Sequence, residues 1–173
     1  MTFWKNFFTT FDSNSNSKNN FPAKLISKTN YKNGDIYIYS GSKSNLDLDK
    51  LESLCESVGW IKRPAKRVES ALDNSLVTII AFYKDLETLE LIGFARATSD
   101  KTFHATIWDL VIEPRFQGQG LGKLLMYNLI EELRILNIST VALFADSNVV
   151  KFYDKLGFVA NPNNARGMFW YPK

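Results

Sequence analysis

The 173-residue sequence has one cysteine, Cys55, and one histidine, His104. An internal disulfide is therefore ruled out, as is a zinc centre built from clustered Cys and His; no metal is expected, and a reducing compartment fits. Charge of one sign is equally scarce. The balance of 21 Lys+Arg against 18 Asp+Glu leaves +3, too little to hold nucleic acid or an anionic membrane over a broad face, so any anion site must be local. No apolar run reaches the roughly 20 residues of a membrane helix, and the opening Met1-Thr2-Phe3-Trp4-Lys5 has no small-residue cleavage site, so no membrane partner and no secretory leader are expected. What is present is one domain's worth of chain, 45% hydrophobic and 14% aromatic, enough for a single good core.

The segment 12–20, Asp-Ser-Asn-Ser-Asn-Ser-Lys-Asn-Asn, has no apolar group to offset the entropy of ordering, so residues 1–35 are expected as a flexible segment and 36–173 as the folded domain. The leader is Ser-rich, as transit peptides are, but has no Arg before Arg63. Ile36–Tyr39, between Asn33-Gly34 and Gly41, reads as a strand. Leu48, Leu51, Leu54, Cys55 and Val58 recur at helical spacing up to Gly59, which places Cys55 in a core. Pro64 opens a second helix to Asp73-Asn74. Leu76–Tyr83 and Leu89–Thr98 read as a hairpin, with Gly93 marking a bulge or close approach, and Phe103–Ile112 as a third antiparallel strand. A leucine stripe from Leu121 to Leu136 predicts a long helix. A strand Thr140–Ala145, a helix Asn148–Leu156 and late strands at Phe158 and Met168–Tyr171 complete an α/β (α+β) order that begins antiparallel and ends in a β-α-β crossover.

The strongest local signal is Ile112-Glu113-Pro114-Arg115-Phe116-Gln117-Gly118-Gln119-Gly120-Leu121-Gly122-Lys123, a strand end running through glycines into a long helix. First-turn amides lack intrahelical partners, the helix dipole adds positive potential, and glycine lets an anion approach, so a pyrophosphate suits this place. A Walker loop would need Gly where Gln117 stands and Ser or Thr where Leu124 stands; a dinucleotide fingerprint would need Gly where Lys123 stands. Both fail.

Gln117, Gly120 and Gly122 match Gln-x-x-Gly-x-Gly, and Phe152-Tyr153-Asp154-Lys155-Leu156-Gly157-Phe158 matches a second segment downstream. Together they resemble the acetyl-CoA loop and the Phe-Tyr-x-Lys-x-Gly-Phe segment of the GNAT N-acetyltransferase superfamily. Val58-Gly59-Trp60, the runs 95–100, 105–109 and 116–123, Leu143-Phe144-Ala145-Asp146 and the run 167–172 extend the resemblance to plastid and cyanobacterial members described as serotonin N-acetyltransferases and, in plants, protein acetyltransferases. The Asn- and Lys-rich usage resembles a red-algal plastid-encoded member, with a cyanobacterial source as the competitor. The resemblance implies a GNAT fold, a mixed and mostly antiparallel sheet of about six to seven strands with about four helices. It also implies acetyl-CoA as cosubstrate, an amine acceptor (an arylalkylamine such as serotonin, or a protein lysine or N-terminal amine), and direct attack in a ternary complex. A plastid stroma follows, or a cytoplasm if the source is cyanobacterial; the chain is expected as a monomer or homodimer. The alternative is a non-catalytic acyl-CoA sensor or interaction module.

Acyl transfer needs a neutral amine, a stabilised thioester carbonyl and a proton for the departing thiolate. By the resemblance, main-chain N–H groups at Leu110, Val111 and Ile112 hold the carbonyl. Gln117, Gly118, Gln119, Gly120, Leu121, Gly122, Lys123 and Asn148 bind the cofactor, and Tyr153 contacts it and protonates the sulfur. Asp109, beside Trp108, is a candidate base or a substrate anchor, since an Asp near pKa of about 3.9 is a poor base unless buried. Asp146 is either a relay or cofactor contact or an N-cap. Trp108 and His104 are candidate acceptor contacts, though a lone strand histidine is commonly structural. Trp60, Phe103, Trp108 and Trp170 fit either an aromatic acceptor pocket or a core. Lys62, Arg63, Lys66 and Arg67 fit phosphate binding, an acidic protein substrate or a solvated helix face. Cys55 lies far along the chain from both motifs, in keeping with direct attack.

Overall fold

A computed structural model describes residues 24–41 and 46–171. They divide into two compact units, one ending at Leu143 and the other beginning at Phe144. The first unit is built on strands β1 (Lys24–Tyr31), β2 (Gly34–Ser40), β3 (Val77–Lys84), β4 (Leu89–Ser99), β5 (His104–Ile112) and β6 (Thr140–Leu143). They pair in sequence order, antiparallel from β1 to β5, and β6 joins β5 in parallel. The parallel pair requires a crossover, which α3 (Leu121–Ile135) supplies. Helices α1 (Leu48–Ser57) and α2 (Ala65–Asp73) lie between β2 and β3 in the chain.

The sheet is apolar on both faces because helices cover both. Successive side chains alternate across it, so Tyr39, Ile80 and Phe94 meet Leu51, Leu54 and Cys55 of α1 and Leu72 of α2. Residues of the opposite parity, such as Ile38, Ile79 and Ala95, are equally buried on the side of α3, whose Leu125, Met126, Leu129 and Leu133 are sealed from solvent. Helix α1 is capped by Asp47, whose carboxylate accepts from the N–H groups of Asp49 and Lys50, and Gly59 follows it at φ +83°.

Gly93 serves both purposes expected of it. The β3–β4 register slips beside it, and a Cβ built there would stand 3.0 Å from Leu125 Cδ2 and 3.1 Å from Ile112 Cδ1. A side chain at position 93 would crowd Leu125 of α3 against the sheet.

Four expectations need correction. The sheet begins at Lys24 and not near Ile36: β1 lies inside the segment read as flexible and pairs along its length with β2. Its Lys24, Ser27, Lys28 and Asn30 are polar, as an edge strand permits, which hid it from a search for apolar runs. The Ser/Asn-rich stretch 12–20 falls outside the described residues. The late strands are also not found among the described residues: no strand covers Phe158 or Met168–Tyr171, and β6 stops at Leu143, short of Ala145. Asn161, Asn163 and Asn164 adopt positive φ around a 3-10 turn at Pro162–Asn164, a run that asparagine tolerates and a strand does not. The last helix, α4, is short, Val150–Asp154.

Valine at position 93 should overpack the interface between the sheet and α3, at a cost of about 1–3 kcal/mol, read as a lower urea midpoint with an unchanged slope.

Candidate active site

Strand β5 carries the irregularity from which the site is built. Arg96 of β4 faces Trp108, but Phe94 faces Val111, so a step of two residues on β4 meets a step of three on β5. Asp109 and Leu110 together oppose Ala95, which is a β-bulge, and Asp109 sits at φ +56°. An aspartate in the left-handed region costs about 1–3 kcal/mol unless its surroundings fix it. Here two guanidinium groups do so: Arg96 Nε donates to Oδ2 at 2.5 Å and Arg63 Nη1 to Oδ1 at 3.0 Å. Both side chains of the inner pair, Arg96 and Asp109, are largely withdrawn from water, at 12% and 16% exposure. The shielded Arg96 bond contributes about 1.5–3 kcal/mol and the more exposed Arg63 bond about 0–1 kcal/mol, together of the size needed to hold the bulge.

The bulge has consequences on both sides of β5. The β5–β6 ladder ends at the pair Ile107↔Leu143, while β5 runs on to Ile112. Glu113 N–H donates to Ile92 O toward β4. By strand alternation Val111 faces the same way, and the N–H groups of Leu110 and Ile112 point to the edge that β6 has left. Gln117 Nε2 donates to Ile112 O at 2.8 Å, which ties the glycine loop to that edge. Gln119 Nε2 donates to Arg115 O, and Tyr31 Oη of β1 donates to Gln119 Oε1. The Tyr31 ring also packs on Phe116 and Tyr83. Both glutamine side chains of the loop are thus engaged in shaping it, and its backbone remains as the binding surface.

Gly118 and Gly120 take φ +71° and +87°, and a Cβ at either would meet nothing within 4 Å. The glycines are required by backbone angle, and their outer face is open. Leu124 N–H is the first to find a carbonyl one turn back, on Gly120, so the amides of Leu121, Gly122 and Lys123 are unpaired within α3. From Pro114 to Ile130 the sequence holds Arg115 and Lys123 and no acidic residue. This donor set fits the phosphates of a CoA-type cosubstrate.

A cavity of about 190 Å³ adjoins the bulge, lined by Leu51, Val68 and Phe94 and by Arg63, Arg67, Arg96 and Asp109. Arg96 was not anticipated as a site residue. A lone arginine within the apolar run Leu89–Thr98 was the available signal, since a charge in a buried strand demands a partner. Arg63 leaves the solvated basic cluster to pair with Asp109, whereas Lys62 pairs with Glu52. Cys55 is not remote from Asp109: Arg63 Nη2 stands 3.9 Å from its Sγ while Nη1 binds the carboxylate. Burial pushes the Cys55 thiol up, against the lowering effect of Arg63.

The remaining candidates are dispersed. His104 opens β5, five residues from Asp109 or about 16 Å of strand. Its Nδ1 lies 3.1 Å from Asp100 Oδ2 at the surface. Asp100 also accepts from the N–H groups of His104, Thr102 and Phe103, bonds that hold its carboxyl well below the usual range, so His104 belongs to a turn. Trp108 Nε1 donates to Thr98 Oγ1, and the indole does not line the cavity. Trp60, Phe103 and Trp170 are exposed. In the second unit, the Tyr153 ring meets Phe152 and Phe158 edge-on, and burial, with the Asp146 carboxylate adding, pushes its phenol up from the ordinary tyrosine range. Asp146 is not the N-cap of α4: Val149 holds that position without a side-chain cap. Asn148 is exposed in the preceding turn.

Comparison with known proteins agrees with this architecture. The Acetyltransferase (GNAT) family profile matches residues 45–158. The chain is 51% identical over 174 residues to an N-acetyltransferase, ycf52, of Pyropia yezoensis, covering 100% of both chains. It is 43% identical over 152 residues to GCN5-related N-acetyltransferase 2, chloroplastic, of Arabidopsis thaliana, covering 79% of this chain and 59% of that one. A GNAT family acetyltransferase of known structure from Streptococcus pneumoniae TIGR4 superposes with TM-score 0.64 at 27% identity, over 80% of this chain and 98% of that one. Among the described residues, the six mostly antiparallel strands and four helices are those of the GNAT fold. The chain belongs to the GNAT acetyltransferase family and is an N-acetyltransferase.

Substitutions at 109 separate charge pairing from backbone angle. Asparagine tolerates positive φ and valine does not, so Asp109→Val should lose about 1–3 kcal/mol more than Asp109→Asn in chemical denaturation.

Proposed function

We propose that this N-acetyltransferase transfers acetyl from acetyl-CoA to a primary amine by direct attack within a ternary complex. The observation that carries the reading is the open row of amides at the start of α3, tied by Gln117 to the uncovered edge of β5. When bound, acetyl-CoA supplies an acyl group activated as a thioester. The amides of Gly118 to Lys123 hold its pyrophosphate, and the N–H groups of Leu110 and Ile112 serve as donors to the carbonyl oxygen, stabilising charge that grows in the transition state. Asp109 is a positioning residue: both its oxygens are engaged by arginines, and through the bulge it aims the two donors. Tyr153 is the proton donor to the leaving sulfur, a role suited to a phenol that keeps its proton through neutral pH. By the family resemblance, Asp146 and Asn148 are assigned to cofactor contact as well. Cys55, held as a thiol by burial, is a poor nucleophile, which favours direct attack over an acetyl-enzyme. A plastid stroma is the proposed location, supported by relatives named chloroplastic in Arabidopsis thaliana.

Tyr153→Phe should lower kcat by about 10²–10⁴ with little change in KM for acetyl-CoA, the range of a single general acid. Because burial raises the phenol above the ordinary tyrosine range, the alkaline fall of wild-type kcat should lie beyond that range, and it should be missing in the variant. Gly120→Ala forces a side chain into a left-handed position on the cofactor face, so KM for acetyl-CoA should rise at least tenfold while circular dichroism keeps its helix signal.

A further inference from the structure

The glycine loop is gripped from a strand at the far edge of the sheet. In Gly118-Gln119-Gly120 both glycines take positive φ, and Gln119 between them has the only side chain by which the run can be held. Its Nε2 donates to Arg115 O within the same connection. Its Oε1 accepts from the hydroxyl of Tyr31, the last residue of β1. Gln117 reaches back only to Ile112 O, the end of the strand that the loop continues. Among the described residues, the Tyr31 hydroxyl is thus the side-chain contact that ties 117–120 to a separate strand.

Tyr31 is itself fixed in place. Its ring meets Tyr83 of β3 edge-on at 6.0 Å between centroids and lies tilted on Phe116 at 5.1 Å, while Tyr83 meets Phe116 at 5.4 Å. Phe116 is buried and stands next to Gln117 in the chain. Gly34 faces Tyr31 across the β1–β2 hairpin, and a Cβ there would come within 2.8 Å of Tyr83 Cε2, so the turn leaves room for the second ring. The matched family profile begins at residue 45, beyond both strands of this hairpin. A loop with two glycines has many conformations in which its amides do not converge, and apparent affinity falls with the fraction of molecules in the competent one.

We infer that Tyr31 is a positioning residue for the acyl donor: through Gln119 it holds Gly118–Gly120 in the conformation whose amides take the pyrophosphate, and so sets the affinity for acetyl-CoA. The inference rests on the acetyl-CoA reading above and adds to it a residue outside the matched profile. Tyr31 acts on the population of the competent loop, so its loss weakens binding and spares the chemical step of the bound complex.

The test uses the full chain, with CoA in calorimetry and acetyl-CoA in steady-state kinetics. Tyr31→Phe keeps the three rings and removes only the hydroxyl, so Kd for CoA and KM for acetyl-CoA should rise about three- to tenfold, the loss falling on KM and not on kcat. Gln119→Ala should weaken CoA at least as much, and in that background Tyr31→Phe should cost nothing further. Tyr37 lies on the same hairpin with its hydroxyl toward Asp35, so Tyr37→Phe should bind CoA as wild type does. An unchanged Kd in Tyr31→Phe, a fall in kcat in its place, a loss that persists undiminished beside Gln119→Ala, or an equal loss in Tyr37→Phe overturns the assignment. A wild-type chain that binds no CoA overturns the acetyl-CoA reading and this role with it; a wild-type chain that binds CoA no better than Tyr31→Phe overturns this role alone.

Discussion

The contact on which the site depends is the pairing of Asp109 with Arg96 and Arg63. A non-glycine residue at φ +56° in the middle of a strand is unfavourable, and nothing in the backbone ladder rewards it. The charge-assisted bonds offset that cost, and the Arg96 bond is well shielded because Arg96 sits on a central strand. Remove them and β5 has no reason to bulge; without the bulge the N–H groups beyond it would follow the ordinary alternation from Trp108.

The same strand then serves two surfaces. On its open edge, past Leu143, the main chain of Leu110 and Ile112 is turned outward and fastened to the glycine loop through Gln117. On its helix-covered face, Asp109 and its arginines form one wall of the small cavity. On the proposed reading, acyl donor and amine acceptor would be referred to neighbouring residues of one strand, which fixes two substrates against each other. Strand β1 adds support from an unexpected quarter, because Tyr31 reaches the loop through Gln119.

Most of the sheet and its helices were legible because apolar periodicity is strong where both faces are buried: the spacing of Leu48, Leu51 and Leu54 and the stripe from Leu121 to Leu133 each foretold a helix near its observed limits. The glycine loop was legible because anion binding needs few side chains and leaves a pattern of glycines. What was not legible depends on pairing across the chain. Lys24–Tyr31 is largely polar and becomes a strand only through β2, and the partner that Arg96 demands, Asp109 of the next strand, is named by no local pattern. A local run such as Met168–Tyr171 reads as a strand yet has no assigned neighbour to make it one.

The account stands most directly on where the acetyl group goes. Incubation of the full chain with isotope-labelled acetyl-CoA and a panel of small amines and peptides, followed by mass spectrometry of both amines and intact protein, reads this out. Label is predicted on a primary amine, with none on Cys55 before or during turnover. Label retained on Cys55, or absent from every amine while the cosubstrate stays bound, would contradict the account.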